Sequence, residues 1–284
     1  MNDLLDCHGN VTDGMRLAVS SLITDGVIGS ATYHAETSST NSDALQSIQA
    51  SPTDGLPSDH LPRLFLTDRQ TAGRGRQGNQ WNSSEDSLTF SLLVEFDSHS
   101  PHADLTSVAC GVAVSQGIEY CCAPIRVGLK WPNDLCLVRD GQRRMIEKLG
   151  GILIESSAAA PHRLVIGIGI NVANRPQLTN GHSTPAIALY DVVERRVSRE
   201  DLLQSIVQSV TESLRALSTS GKEVVKAYRS RCVLSGRPIT LRQNDSLIEG
   251  LCQGIADDGS LQITGAHGQT QLLRSGQVHQ VRLG

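Results

Sequence analysis

The stretch Asp68-Arg-Gln-Thr-Ala-Gly-Arg-Gly-Arg-Gln-Gly-Asn-Gln-Trp81 decides the fold, because its glycines at 73, 75 and 78 formally satisfy G-x-G-x-x-G. In a dinucleotide fold the first of these glycines ends a strand directly, and the last opens a helix whose amino terminus holds a pyrophosphate. Here the polar or small residues 68–72 follow the candidate strand 63–67, and Asn79-Gln-Trp-Asn-Ser-Ser84 is a poor helix start. The dinucleotide-binding oxidoreductase reading therefore rests on three glycines alone. Arg74 and Arg76 sit between those glycines, with Arg63 and Arg69 upstream. Open backbone N–H groups and bidentate guanidiniums suit a phosphate chain or an activated acyl phosphate. A solvated basic loop is the alternative, and the segment by itself does not decide between them.

Moving outward, apolar runs rich in β-forming residues at 63–67, 87–96, 126–131, 149–155 and 164–172 predict strands, and 31–35 has the same texture. Residues 105–120 place Leu105, Val108, Ala109, Val112 and Ala113 on one helical face. Residues 201–217 do the same with Leu202, Leu203, Ile206, Val210, Leu214 and Leu217, preceded by Ser198 as a cap. A short amphipathic lead-in occupies 1–28, and the Ser, Pro, Asp and Gly of 49–62 predict an exposed loop. After Arg231 short strand candidates at 239–242, 247–253, 261–264, 271–273 and 278–283 alternate with turns and suggest a small β-barrel. Three units follow: a lead-in helix at 1–28, a mixed helix and sheet body at 29–232, and the barrel at 233–284.

Four further segments offer chemistry. In Lys130-Trp-Pro-Asn-Asp134, Pro132 lacks an N–H for the ladder and ends it, presenting Asn133 and Asp134 at the mouth of the sheet to a magnesium ion or a ribose, or simply as a turn. Lys148-Leu-Gly-Gly-Ile-Leu-Ile-Glu155 opens a strand with a cation followed by Gly150 and Gly151, either beside a developing anion or on a plain surface. Gly167-Ile-Gly-Ile-Asn171 puts alternate glycines on one face, a flat floor for a ring or a seat for a helix. Ser38-Ser-Thr-Asn41 offers hydroxyl and amide groups at a helix start and by itself reads as a cap.

Composition bounds the partners. The 284 residues are 39% hydrophobic, enough for a core, and the formal net charge of −4 argues against a nucleic-acid-binding adaptor or an anionic membrane surface. No run approaches the roughly 20 apolar residues of a membrane span. The start of the chain lacks signal-peptide character, so a cytoplasmic protein is expected. Seven cysteines without a C-x-x-C pair imply neither a disulfide framework nor a zinc knuckle.

Taken jointly, S-S-T-N (38–41), Q-T-A-G-R-G-R-Q-G-N-Q-W (70–81), K-W-P-N-D (130–134), K-L-G-G-I-L-I-E (148–155) and G-I-G-I-N-V (167–172) closely resemble the biotin–protein ligases, from about residue 28 to the end. The resemblance implies an α+β fold with a mixed sheet, flanking helices and a class II synthetase-like architecture, followed by an SH3-like barrel. It implies ATP-dependent formation of biotinyl-5′-AMP with magnesium, then transfer to a lysine of a biotin carboxyl carrier domain of the acetyl-CoA carboxylase type.

By the same resemblance Ser39, Thr40 and Gln70 take the ureido head, Gly73 and Arg74 approach the bicyclic ring or tail, and Gly167 and Gly169 form the facing wall. Lys148 stands at the carboxylate, Arg76 follows the acyl and phosphate groups, and Asn133 and Asp134 face the adenylate and metal. Asp134 also orients the carrier lysine, and Trp81 covers the adenine. Asn41, Gly75, Gly151 and Asn171 complete the ligand-contacting set; Lys148, Arg76 and Asp134 carry the chemistry, and the metal ligands are unassigned. About 35 residues precede S-T-N without a basic recognition helix, so no DNA role is expected, while a homodimer stays open. Lipoate-type ligation is the rival of the same fold. The stretch 135–147 is longer than in many relatives, which suggests a projecting hairpin.

Overall fold

The computed structural model describes residues 4–50, 60–83, 86–139, 145–176, 184–243 and 246–281. Most of the 49–62 loop and the tip of the 135–147 stretch lie outside them. In chain order the first half comprises β1 (Leu5–His8), α1 (Asp13–Thr24), β2 (Ser30–Thr37), α2 (Thr40–Ala50), β3 (Arg63–Gln70), β4 (Leu88–Glu95) and α3 (Thr106–Cys122). Then come β5 (Gly128–Lys130), β6 (Asp134–Arg139), β7 (Met145–Ser157), β8 (Ala160–Ile170) and α4 (Arg199–Arg229). The last part is β9 (Pro238–Gln243), β10 (Ser246–Ile255), β11 (Leu261–Thr264), β12 (Thr270–Leu273) and β13 (Gln277–Val281).

The first eight strands form one sheet in the order β1-β2-β3-β4-β8-β7-β6-β5. The β1-β2 and β2-β3 pairs are parallel, and the others antiparallel. Because directly opposed residues share a face, the register sorts the central strands into two layers. Phe90, Ile168 and Ile152 form one apolar row, and Leu92 and Ile166 lie in the next. This face belongs to the large core shared with residues of α1, α3 and α4. On the opposite face Leu93 and Val165 pack with Phe65 under Ala44 and Ile48 of α2. Beyond α2 that face is built of small residues: Gly151 opposes Gly169, which opposes Thr89, and Gly167 opposes Ser91.

Three elements depart from the sequence reading. Four residues of β1 add a parallel edge strand that too short a pattern had concealed. Lys148 lies inside β7 rather than at its start, because β7 begins at Met145 to pair with β6, the first arm of the hairpin expected at 135–147. α4 runs on to Arg229 instead of stopping at 217: Val224, Val225 and Tyr228 resume the buried face beyond the polar Ser218-Thr-Ser220. The helix is interrupted at Ser220 (φ −118°, ψ 18°), where Gly221 lies so close to the His102 ring that a Cβ would stand 2.7 Å from it. The Ser198 cap is as expected, its side chain accepting from the Asp201 N–H.

The terminal strands form an antiparallel sheet in the order β12-β11-β10-β9-β13. Among the described residues β12 and β13 do not pair, so the expected barrel is a five-stranded sheet without closure. It is fastened to the larger body where Trp131 donates its indole N–H to Gly259 O (3.2 Å) and Arg229 donates to Ile255 O (2.8 Å). Among the described residues no helix is long and apolar enough to cross a membrane.

Candidate functional site

A cavity of about 470 Å³ opens over the small-residue face of the sheet. That volume lies within the roughly 300–1,000 Å³ typical of small-molecule sites. At one end stand Ser39, Thr40 and Asn41 from the start of α2, with Gln70 from the end of β3. The Thr40 N–H donates to Gln70 Oε1 at 2.8 Å, which orients that carboxamide. Asn41 sits against Gly167, whose missing side chain leaves room for its amide: a Cβ there would overlap Asn41 Oδ1. Asn41 Nδ2 donates to Glu155 Oε2 (2.7 Å) and Leu153 O (3.2 Å).

The 68–81 segment folds back as a ribbon along the cavity. Its arms are joined by Trp81 N–H to Gly73 O (2.9 Å) and Gly75 N–H to Asn79 O (2.7 Å), around a tight turn at Arg76–Gly78 in which Gln77 adopts a left-handed conformation (φ 53°). Arg74 makes a two-pronged ion pair with Glu155, both contacts 2.9 Å. Trp81 lies over Gly169, where a Cβ would stand 2.5 Å from the indole. Its buried Nε1 has no partner among the described residues.

The other end carries charge. Lys148 Nζ stands 2.5 Å from Asp134 Oδ1, the two side chains 34% and 18% exposed. A register shift places Leu135 opposite Gly150 but Cys136 opposite Lys148, so Leu149 is the extra residue of a β-bulge. The bulge re-aims Lys148 onto the face of Gly151, whose notional Cβ would lie 3.6 Å from the ammonium. Asn133 holds the strands beside this point, donating from Nδ2 to Ile152 O (2.9 Å) and accepting from Ile152 N–H (3.0 Å). Burial lowers the Arg76 pKa, and the nearby Asp134 carboxylate opposes that shift. Two cations thus converge on one carboxylate.

All but one of the expected site residues border this cavity. The exception, Gly73, supports the ribbon instead, since a Cβ there would strike Trp81 O. The upstream arginines point elsewhere: Arg63 donates to Thr32 and covers Phe65, and Arg69 pairs with Glu36.

Sequence reading missed several wall residues. Lys130 is 5% exposed and donates to Thr184 Oγ1 at 2.7 Å. Ala186 lies in a segment clamped on both sides of Lys148, through Lys148 N–H to Pro185 O and Ile187 N–H to Lys148 O. Gly276, Gln277 and Val278 of the terminal sheet complete the wall. Lys130 was visible inside a quoted motif, whereas residues 184–186 and 276–278 carry no local signal. Asn171, which donates to Ile187 O, has a buried Oδ1 without a partner among the described residues.

Such a site accepts an elongated ligand with a polar head, a flat middle and an anionic end. A family model described as Biotin/lipoate A/B protein ligase family matches residues 38–171, and one described as Biotin protein ligase C terminal domain matches residues 234–278. The biotin–[acetyl-CoA-carboxylase] ligase of Paracoccus denitrificans is 28% identical over 241 residues, covering 83% of this chain and 94% of the relative. The bifunctional ligase/repressor BirA of Bacillus subtilis is 30% identical over 226 residues, 77% of this chain and 67% of the relative. Among solved structures, the biotin protein ligase from Aquifex aeolicus in complex with biotin and ATP superposes with a TM-score of 0.69 at 26% identity, over 89% of this chain and 99% of that one.

Proposed function

The chain belongs to the biotin/lipoate A/B protein ligase family, and on that premise we propose that it is a biotin–protein ligase, activating biotin with ATP and passing the biotinyl group to a carrier lysine. The carrying observation is the Lys148–Asp134 pair at 2.5 Å, set by a bulge at the opposite end of the cavity from a polar head built of Ser39, Thr40 and Gln70.

A carboxylate is a poor acyl donor. In the first step a biotin carboxylate oxygen attacks the α-phosphorus of ATP, and pyrophosphate leaves. Both reactants are anionic at the point of contact. The Lys148 ammonium lies between them and stabilises the charge that builds on phosphorus, with Arg76 adding a second cation. In the second step the carrier amine attacks the acyl carbon, AMP departs and an amide forms. Asp134 is placed to receive the proton that this amine must lose. Between the steps the ribbon around Arg76 keeps water from the mixed anhydride.

Residue placement fits both ligands. Ser39, Thr40 and Gln70 take the ureido head, with Asn41 behind them. Arg74 and Gly75 flank the tail, over Gly151 and beside Gly167 and Gly169, which Asn41 and Trp81 cover. Trp81 and Asn171 Oδ1, which has no partner among the described residues, fit the adenine, one by its ring face and the other by accepting from an exocyclic amine. Asn133 keeps Asp134 in place. Among the described residues no cluster of three or more His, Cys, Asp or Glu forms a metal cage. Asp134 would be the residue to hold a magnesium ion, which when bound would offset charge on the triphosphate.

We take the protein substrate to be a carrier of the acetyl-CoA carboxylase kind, as the Paracoccus relative's name states for that enzyme. Residues 29–232 act as the catalytic unit and 233–284 as its cap, behind the 1–28 helix. We read the enzyme as cytoplasmic, without a DNA partner on its net charge of −4, and open to pairing with a second copy. Incubation with labelled biotin, ATP, magnesium and a carrier domain should label the carrier lysine, and labelled lipoate alongside should not. Labelling by lipoate alone would reassign the substrate.

A further inference from the structure

The cross-strand pairing lays a row of residues along the cavity face of the sheet. Thr89 of β4 opposes Gly169 of β8, Gly169 opposes Gly151 of β7, Gly151 opposes Asp134 of β6, and Asp134 opposes Lys130 of β5. Directly opposed residues share a face and neighbouring strands lie about 4.8 Å apart, which sets Lys130 about 14 Å beyond Gly169. The row runs from the side of the polar head, past the Lys148–Asp134 pair, and ends at Lys130, which borders the cavity.

Lys130 is 5% exposed. Its ammonium donates to the Thr184 hydroxyl at 2.7 Å, and no ion pair among the described residues includes it. Asp134, its neighbour in the row, is already held by Lys148 at 2.5 Å. A buried ammonium without a counter-charge of its own is costly, and a hydroxyl offers only a dipole. Among the described residues Asp134 is also the one carboxylate that borders the cavity, against Lys130, Lys148 and Arg76 at this end. That end therefore carries a surplus of positive charge and suits a polyanion.

We infer that Lys130 is a further catalytic residue, whose buried ammonium takes up the charge that builds on the departing pyrophosphate. The proposal rests on reading this pocket as the site for biotin and ATP and deepens it. In the activation step a bond forms from the carboxylate oxygen to the α-phosphorus. The bond from that phosphorus to the bridging oxygen breaks, and its electron pair leaves on pyrophosphate. Attacking and leaving oxygens lie roughly in line across phosphorus. The attack comes from the head side and Lys148 stands at the phosphorus, so the leaving oxygen points on along the row, toward Lys130. Trp81 and the adenine lie over Gly169, on the head side, which leaves the far end to the β- and γ-phosphates. In the transfer step the leaving group is AMP, which has neither of those phosphates. Lys130 thus serves activation alone, whereas Lys148 touches the phosphate common to both steps.

The test gives one complex two exits. Enzyme loaded with supplied biotinyl-5′-AMP is mixed either with inorganic pyrophosphate and magnesium, which return it to ATP and biotin, or with carrier domain, which takes the biotinyl group. Rates are counted per loaded enzyme, so a variant that folds in part lowers the amount loaded and not the rates. In Lys130→Met the pyrophosphate exit should slow by about tenfold to a hundredfold, the loss expected of one charge-assisted hydrogen bond, and the carrier exit should stay within threefold of wild type. Lys130→Gln keeps a donor for Thr184 without the charge and should behave as Lys130→Met does. Lys130→Arg keeps the charge and should recover most of the pyrophosphate exit. Equal slowing of both exits, an unchanged pyrophosphate exit, or wild-type behaviour of Lys130→Gln would overturn the role of Lys130 while the ligase reading stood. Failure of the wild type to form adenylate from biotin and ATP would overturn that reading and the proposal with it.

Discussion

Lys148 and Asp134 meet at 2.5 Å although fourteen positions separate them in sequence, because a single extra residue, Leu149, turns the lysine onto the cavity face of β7 opposite the start of β6. The pair gives the site a cation held in place before any substrate arrives. Lys148→Ala should slow adenylate formation by roughly a hundredfold to a thousandfold, the scale seen when one preorganised electrostatic contact to a reacting centre is lost. Biotin affinity should change only a few-fold, since the head contacts are untouched. Pyrophosphate release and biotin titration measure the two quantities separately, and equal losses in both would assign Lys148 to binding alone.

Arg76 bears on retention as well as on chemistry. It begins the tight turn at the tip of the ribbon, and its partial burial near Asp134 depends on the ribbon lying down. Arg76→Ala should release biotinyl-adenylate into solution faster than the carrier consumes it. A chase of labelled adenylate with and without carrier reads this directly. Unchanged retention would remove the shielding role.

How much of this was legible beforehand follows the range of the interactions involved. The K-W-P-N-D turn and the 105–120 helix are local patterns, and each lies where the spacing puts it, while Gly167 seats Asn41 at the start of α2. What escaped is non-local. Glu155 looked like the polar end of a strand until Arg74, 81 positions away, was found against it. Ser91 stood with Thr89 as one of two hydroxyls in the run Leu88-Thr-Phe-Ser-Leu-Leu-Val94, a sign of buried polar work without an address. The bulge at Leu149 exists only through its pairing with β6, so no reading of β7 by itself reveals which face Lys148 takes. Gly276–Val278 reach the cavity through the docking of a second sheet, which strand periodicity says nothing about.

Ser198 tests the scaffold without touching the site. Its hydroxyl oxygen accepts from Asp201 N–H at 3.1 Å and its proton goes to Glu200 Oε2 at 2.9 Å, capping the 31-residue α4. Ser198→Ala should cost about 1 kcal/mol. For a chain of this size that lowers Tm by roughly 2–4 °C. Ligation rate at 25 °C should be unaltered. A Tm equal to wild type would mean the first turn of α4 is held by its packing and not by its cap.

Gly169 ties the floor of the cavity to its cover. Its notional Cβ lies 2.5 Å from two atoms of the Trp81 indole, closer than packed atoms tolerate, whereas at Gly151 the nearest atoms are 3.6 Å away and belong to a flexible lysine. Gly169→Ala must therefore push the indole off the sheet, while Gly151→Ala should leave it in place. Trp81 and Trp131 are the only tryptophans, so a Trp131→Phe background isolates the Trp81 emission. In that background Gly169→Ala should shift the emission to longer wavelength and weaken ATP binding by about tenfold, the loss expected of one aromatic contact with a base. Gly151→Ala should do neither. An unshifted spectrum in Gly169→Ala would mean the indole has another resting place, and the adenine would then need a different cover.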